Sequence, residues 1–437
     1  MAKQSSQEEL RGTLRKLVKA VIEFSRLDEH VKGELELAGF CGSKAIVLGL
    51  GKGSIQMARG ALSCVEPVGG VVVTTRGSEA RLPGVEVLGA SHPVPDDSSV
   101  KAAEALLEWA GSAGKDDLVI ALVSGGGSAL AEKPIPPLTL DDVRETVKLL
   151  LASGASIHEM NTVRKHLSEV KGGRLAARAY PARLLGLYAS DVPGDKLDVI
   201  ASGPTVPDPT TYSDALTVLR RYGLYDRVPD RVVELLERGA RGEVEETPKP
   251  GDPRLSRTSN RLVAANIDVL RALSRYIYES LEFNTIILTS RLEGESREVG
   301  KALASITLEA LDRGVPVKPP AAILAGGETT VRVRGPGVGG RNLELATSWA
   351  LAVAYWEPNA PAAMLAMDTD GIDGSSPAAG AIVTPSMVEE ARSMGLSFHE
   401  ALERNDTYTL LKKLGATVET GPTGTNLNSV SVILVSP

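Results

Sequence analysis

Five short stretches carry residue types that handle phosphate, carboxylate or a divalent ion. The first is Gly49-Leu50-Gly51-Lys52-Gly53-Ser54. Its glycines let backbone N–H groups approach an anion, and Lys52 adds a full positive charge. A tight strand-to-helix turn with a solvated lysine is the plainer alternative. The second is Ser124-Gly125-Gly126-Gly127-Ser128. Three consecutive glycines after an apolar run can form a nest for phosphate oxygens, with Ser128 beside it; the plainer alternative is a flexible turn. The third runs from Ser190 through Asp191 to Asp195. Its two carboxylates can hold Mg²⁺, accept a proton, or simply make Asx turns. The fourth is Gly337-Val338-Gly339-Gly340-Arg341-Asn342, where Arg341 opens a helix. A guanidinium there can fork onto carboxylate or phosphate, or end in a salt bridge. The fifth is Asp368-Thr369-Asp370-Gly371-Ile372-Asp373-Gly374. It lacks the downstream bidentate Glu of an EF-hand, and Asp370 and Asp373 join Asp191 and Asp195 as candidate metal ligands.

Other chemistries find no matching pattern. The first loop is not a Walker loop, because four residues do not separate its first Gly from the Gly-Lys pair. It is not G-x-G-x-x-G either, since Gly53 falls one residue early. No G-x-S-x-G elbow occurs. The basic stretch Asn161 to Arg174 reads as a solvated helix face or as a positive wall for an anion. The five histidines have no metal-ligand spacing. Glycine nests, one lysine, one arginine and strand-end carboxylates suit phosphoryl transfer, which is mostly positioning and charge neutralisation. The acceptor stays open at this point.

Short apolar runs must position these loops. Ala45–Leu48, Val71–Thr74, Val85–Leu88, Leu118–Val123 and Leu184–Tyr188 read as strands, most of them ending in a polar or Gly-rich turn. Helical patterns fall between several of them, and a long helical stretch spans Leu138 to Ala179. Alternating strands and helices imply a parallel sheet covered on both faces. Glu243 to Asn260 is rich in Pro, Ser and charge and reads as a linker. The alternation then restarts, with a paired strand expected at Thr329–Val333. The expected fold is two α/β domains: a Rossmann-like parallel sheet over 1–246 and a smaller α/β domain over 247–437, with the site in the cleft between them.

The chain has 437 residues, too many for one core. With 48 basic and 55 acidic residues its net charge is −7, which argues against nucleic acid and anionic membranes as partners. No apolar run reaches the ~18 residues of a membrane span, and no signal-peptide core is visible. The only cysteines, Cys41 and Cys64, read as small buried apolar residues in a reduced, cytoplasmic protein. Only three glutamines occur, Gln4, Gln7 and Gln56, and Arg outnumbers Lys, a composition that suits a thermophile.

The motifs GLGKGS, SHPVPDDSS, SGGGSAL, NTVRKHLSEVKGGRLA, SDVPGD with SGPTVPDPTT, GGETTVRVRGPGVGGRNLELA, DTDGIDG and TGPTGTNL follow one another in order. Together they resemble the glycerate 2-kinase family, whose C-terminal domain is of the MOFRL type. The resemblance runs from Ala45 to the C-terminus. It implies ATP-dependent phosphorylation of D-glycerate at the 2-hydroxyl, giving 2-phosphoglycerate and ADP, with Mg²⁺ or a similar divalent cation. It carries the family's lysine to Lys52, its arginine to Arg341 and its glycine loop to Gly125, Gly126 and Gly127. The implied partners are the small molecules D-glycerate and ATP, with a homo-oligomer admitted. Members of the family also bear the label hydroxypyruvate reductase, so an NAD(P)-dependent reductase is the alternative. Against it, the second strand ends in Thr74-Thr75-Arg76 with no acid for a ribose, although Arg76 could meet a 2′-phosphate.

Overall fold

Apolar runs that end in glycine turns become the central strands of one parallel sheet. The computed structural model describes residues 2–437. Its first six strands are β1 (Lys44–Leu50), β2 (Glu66–Thr75), β3 (Glu86–Ala90), β4 (Leu118–Val123), β5 (Arg183–Ala189) and β6 (Thr258–Ala264). They lie in the order β3-β2-β1-β4-β5-β6, every neighbouring pair parallel. Residues 45–50 and 184–189 are buried throughout, as strands covered on both faces must be. The chain winds outward one way from β1 and the other way from β4. Ligands in such sheets bind beyond the strand ends at that reversal. The turns after β1 and β4 therefore occupy the favoured place.

The long helical stretch is three helices, Leu140–Ala152, Ile157–Leu167 and Arg174–Ala179. Two of them pack with Tyr212–Arg221 and Asp230–Ala240 around a second core that includes Leu150, Leu167, Leu219 and Leu236.

The remaining strands are β7 (Asn284–Leu292), β8 (Ala321–Gly327), β9 (Ala362–Asp368), β10 (Gly380–Val383), β11 (Thr417–Val418) and β12 (Ser429–Val435). Their order is β11-β10-β9-β12-β8-β7. Only β7 and β8 run parallel; β12 lies antiparallel to both β8 and β9. Helix Arg341–Trp356 is buried along most of its length and packs on this sheet.

The chain forms two compact units, Leu27–Ala264 and a second made of residues up to Arg26 with Ala265–Pro437. This differs from the expected 1–246 and 247–437 in two ways. Strand β6 pairs with β5, so the first unit runs on to Ala264. Helix Ala2–Phe24 belongs to the second unit. Its Leu10, Leu14, Leu17 and Val21 form a buried stripe at helical spacing. Its Gln7 Nε2 donates to Ala360 O at 2.7 Å.

Two further expectations are corrected. Thr329–Val333 is not a strand; only an isolated bridge joins Thr330 to Glu295. Cys41 and Cys64 are not buried thiols: Cys41 is exposed, Cys64 half-buried, and the two form a disulfide. That pairing removes the basis for reading a reduced compartment from the cysteines. No described helix is long and apolar enough to cross a membrane.

Candidate functional site

In the first unit, the turns after β1 and β4 are stitched together. Lys52 N–H donates to Gly125 O at 2.9 Å, Gly53 N–H to Ser124 Oγ at 3.0 Å and Ser124 N–H to Leu50 O at 2.9 Å. Gly51, at φ 131°, has no room for a Cβ against Ser124. Helix Ser54–Leu62 begins directly after this turn, held by Ser54 Oγ donating to Val73 O at 2.7 Å. Lys52 is thus fixed at its backbone while its side chain crosses Gly126. A Cβ placed on Gly126 would lie 3.0 Å from Lys52 Cγ and 3.3 Å from His92 Nε2. A Cβ on Gly125 would overlap the Asp191 carboxylate. Lys52, His92 and Asp191 therefore converge on the triple-glycine turn.

Ser128 is the next part of this assembly. Its Oγ lies 2.7 Å from Ser202 Oγ, and Ser202 Oγ donates to Asn161 Oδ1 at 3.0 Å. Ser202 itself sits at φ 58°, so the backbone there is held in a left-handed turn. His92 carries a shifted pKa. Burial and then the Lys52 charge push it from 6.5 down to about 4, so the imidazole is neutral at physiological pH. His92 was set aside in the sequence because its spacing suits no metal. Its place in the SHPVPDD motif was the available signal.

The basic stretch is neither a solvated face nor a free positive wall. Lys165 ion-pairs with Asp208 at 3.4 Å, and His166 Nε2 lies 2.9 Å from Glu246 Oε1. Lys171 Nζ donates to Glu132 Oε2 at 2.6 Å, and both are buried. Burial pushes the Lys171 ammonium pKa down while Glu132 opposes that shift. Most of these charges are committed to holding the helices.

In the second unit the centre is Arg341, the first residue of its helix. Its Nε donates to Asp368 Oδ2 at 3.1 Å, its Nη2 makes a second, shorter bond to the same oxygen, and its Nη1 bonds Glu328 Oε1. Burial disfavours the guanidinium charge, but Asp368 and Glu328 outweigh it and raise its pKa. Neither carboxylate was among the expected site residues. Asp368 ends β9 and Glu328 directly follows β8, so antiparallel pairing of both strands with β12 supports the two ends.

The four expected metal ligands separate by role. Asp373 is fully buried, and its oxygens accept from Asn342 N–H at 3.1 Å and Leu343 N–H at 2.8 Å. It caps the helix that Arg341 opens, and both oxygens are used there. Burial raises its pKa to about 7 against those hydrogen bonds. Asp370 Oδ1 accepts from Ile372 N–H at 2.9 Å, an Asx-type turn. Asp195 occupies a left-handed turn at φ 57°. Asp191 alone of the four lies against the glycine turn. No cluster of three His, Cys, Asp or Glu side chains is disposed for a metal among the described residues. Mg²⁺ usually needs only one or two carboxylates besides phosphate and water, so Asp191 fits as a ligand and Asp373 does not.

Comparison with known proteins bears on the same residues. A family model described as a domain of unknown function, DUF4147, matches residues 9–237, and the MOFRL family model matches 321–429. The chain is 41% identical to a D-glycerate 2-kinase of Thermotoga maritima over 98% of this chain and 99% of that protein. The chain belongs to the glycerate 2-kinase family. A solved glycerate kinase structure from Thermotoga maritima superposes with a TM-score of 0.89 at 40% identity, covering 98% of this chain and 100% of that one. A protein of Agrobacterium vitis named putative hydroxypyruvate reductase is 45% identical over 90% of this chain and 87% of its own length. The glycerate 2-kinase family thus includes proteins bearing both names, and the residues at the turns must separate them.

Proposed function

We propose that this chain transfers the γ-phosphoryl group of ATP to the 2-hydroxyl of D-glycerate, giving 2-phosphoglycerate and ADP. The observation that carries the reading is Lys52, an ammonium whose side chain is laid across the triple-glycine turn that follows β4, at the point where the strand order reverses between β1 and β4. Lysine is a compact point charge suited to phosphate oxygens. Gly125, Gly126 and Gly127 supply close backbone approach for the ATP phosphates, and Ser128 adds a hydroxyl. Lys52 steadies the transferring phosphoryl group, and His92, neutral beside it, adds no competing charge. Arg341 engages the glycerate carboxylate. Asp191 would hold Mg²⁺ together with phosphate oxygens, and Asp370 is a second candidate. When bound, the ion would neutralise charge on the bridging phosphates.

A reductase is disfavoured by the same residues. The turn after β1 lacks the dinucleotide spacing. Arg76, the one group suited to a 2′-phosphate, already donates to Asp96 Oδ2 at 3.0 Å and Ser98 Oγ at 3.1 Å. Phosphorus NMR of a reaction with ATP, Mg²⁺ and D-glycerate tests the proposal. A 2-phosphoglycerate signal growing with ADP is expected. Loss of nicotinamide absorbance with hydroxypyruvate, and no phosphate ester, would overturn it.

A further inference from the structure

The two carboxylates on Arg341 are held very unequally. Asp368 is fully buried, whereas the Glu328 side chain is 41% exposed and that of Arg341 24%. Asp368 Oδ2 receives both Nε and Nη2 and also Ser429 Oγ at 3.3 Å, so it locks the guanidinium plane. Ser429 Oγ in turn accepts from Asn342 Nδ2 at 3.0 Å. Glu328 touches only Nη1, the remaining edge. Its backbone is anchored, with its N–H donating to Leu292 O at 2.9 Å. Releasing its carboxylate therefore needs only a side-chain rotation.

The charge balance gives this asymmetry a use. Arg341 with two carboxylates sums to −1, so the assembled group repels an acid. A third carboxylate brought to Nη1 would also face Glu328 directly, and like charges at contact are unfavourable. We propose that Glu328 is an exchangeable counter-ion, displaced from Arg341 by the carboxylate of the incoming substrate, while Asp368 stays as the fixed one. Glu328 is then a selectivity-determining residue. A small acid supplies the charge needed to replace it, and a neutral polyol of the same size does not. This rests on the reading of Arg341 as the carboxylate-binding group of a glycerate kinase. Glu328 also guards the guanidinium when no substrate is present, by satisfying a donor that would otherwise stand bare.

The sign of the effect is diagnostic, because removing a merely structural side chain weakens binding. D-glycerate is titrated calorimetrically, without nucleotide, into the wild-type protein and into Glu328→Gln. The amide keeps the shape and removes the competing charge, so glycerate should bind about threefold to tenfold more tightly. Glycerol should show no such gain. Equal or weaker glycerate binding by Glu328→Gln overturns the proposal: equal binding would mean that Glu328 does not compete with the substrate, and weaker binding that it supports the site. Should Glu328→Gln fail to fold by circular dichroism, Glu328→Ala is expected to tighten binding in the same direction. Inorganic phosphate, titrated into the same proteins, reads the exchange at Arg341 independently of the substrate. Tighter phosphate binding by the variant, alongside no product from ATP and glycerate, would sink the kinase reading and leave the exchange standing.

Discussion

Lys52 and Arg341 both stand where a glycine-rich turn opens a helix, yet the fold treats them oppositely. Lys52 is laid over glycine backbone beside an imidazole whose proton is suppressed, with the Asp191 carboxylate against the neighbouring Gly125. Arg341 is given two carboxylates and a capped helix end. A flexible ammonium needs only a short tether to find a phosphate oxygen. A planar guanidinium is useful in one orientation, so the fold fixes its plane with a buried counter-ion. The contrast separates a charge that is presented from a charge that is aimed.

The largest expected effect comes from removing either charge. Lys52→Ala and Arg341→Ala should each lower turnover by about 10²–10³, the usual worth of one preorganised donor, with circular dichroism unchanged. The conservative exchange sharpens the contrast. Arg341→Lys should recover little, since one ammonium cannot span Asp368 and Glu328 as the guanidinium does. Near-normal turnover in Arg341→Lys would show that aiming is not what the carboxylates provide.

Next comes Asp368→Asn. The exchange removes the buried carboxylate that accepts from Nε, Nη2 and Ser429 Oγ and leaves Glu328 as the counter-ion of Arg341, so it should cost about 2 kcal/mol of stability in denaturant titration, the usual worth of a hydrogen bond to a charged group. Its glycerate KM should rise more than its ATP KM, because the loss is confined to Arg341. A uniform loss across both substrates would count against that assignment. Gly126→Val follows. It puts a branched side chain, in a φ 82° conformation, where Lys52 and His92 now lie. ATP affinity should fall at least about tenfold by calorimetry, as close backbone approach is lost. Unchanged affinity in a folded variant would remove the nest from the mechanism.

The smallest expected effect is a pH dependence. Above pH 6.5 His92 is neutral in both folded and unfolded chains. Between 6.5 and about 4 only the unfolded chain takes the proton, so stability falls as pH drops through that window. His92→Gln should flatten that part of a melting-temperature profile. An unaltered slope would mean that Lys52 and burial do not hold the imidazole neutral.

How much of this was legible in the sequence depends on what each residue must do locally. The glycine turns were readable because positive φ and backbone contact demand glycine at Gly51 and Gly126. Most buried strands were readable because parallel pairing demands continuous apolar runs. Strand β6 was not. It is an edge strand reading Thr-Ser-Asn-Arg-Leu-Val-Ala, with little to distinguish it from the polar linker before it. Its pairing with β5 is a long-range fact. The carboxylates were visible as residues but not as roles. Nothing in the spacing of Asp368, Asp370 and Asp373 says that one locks an arginine, one makes a turn and one caps a helix. His92 and Glu328 acquire significance only when distant strands bring them to Lys52 and Arg341.

The sharing of the second unit between the chain's first helix and its last 173 residues has a consequence for synthesis. Helix Ala2–Phe24 leaves the ribosome before its partners exist. Its stripe of Leu10, Leu14, Leu17 and Val21 then has no surface of its own unit to cover while Leu27–Ala264 is completed. At about 5–20 residues per second, the remainder takes roughly ten to thirty-five seconds more to be made. During that interval the amphipathic helix must be sheltered or stay unfolded. A helix synthesised ahead of Leu27–Ala264 therefore reaches its native place only after that unit is made.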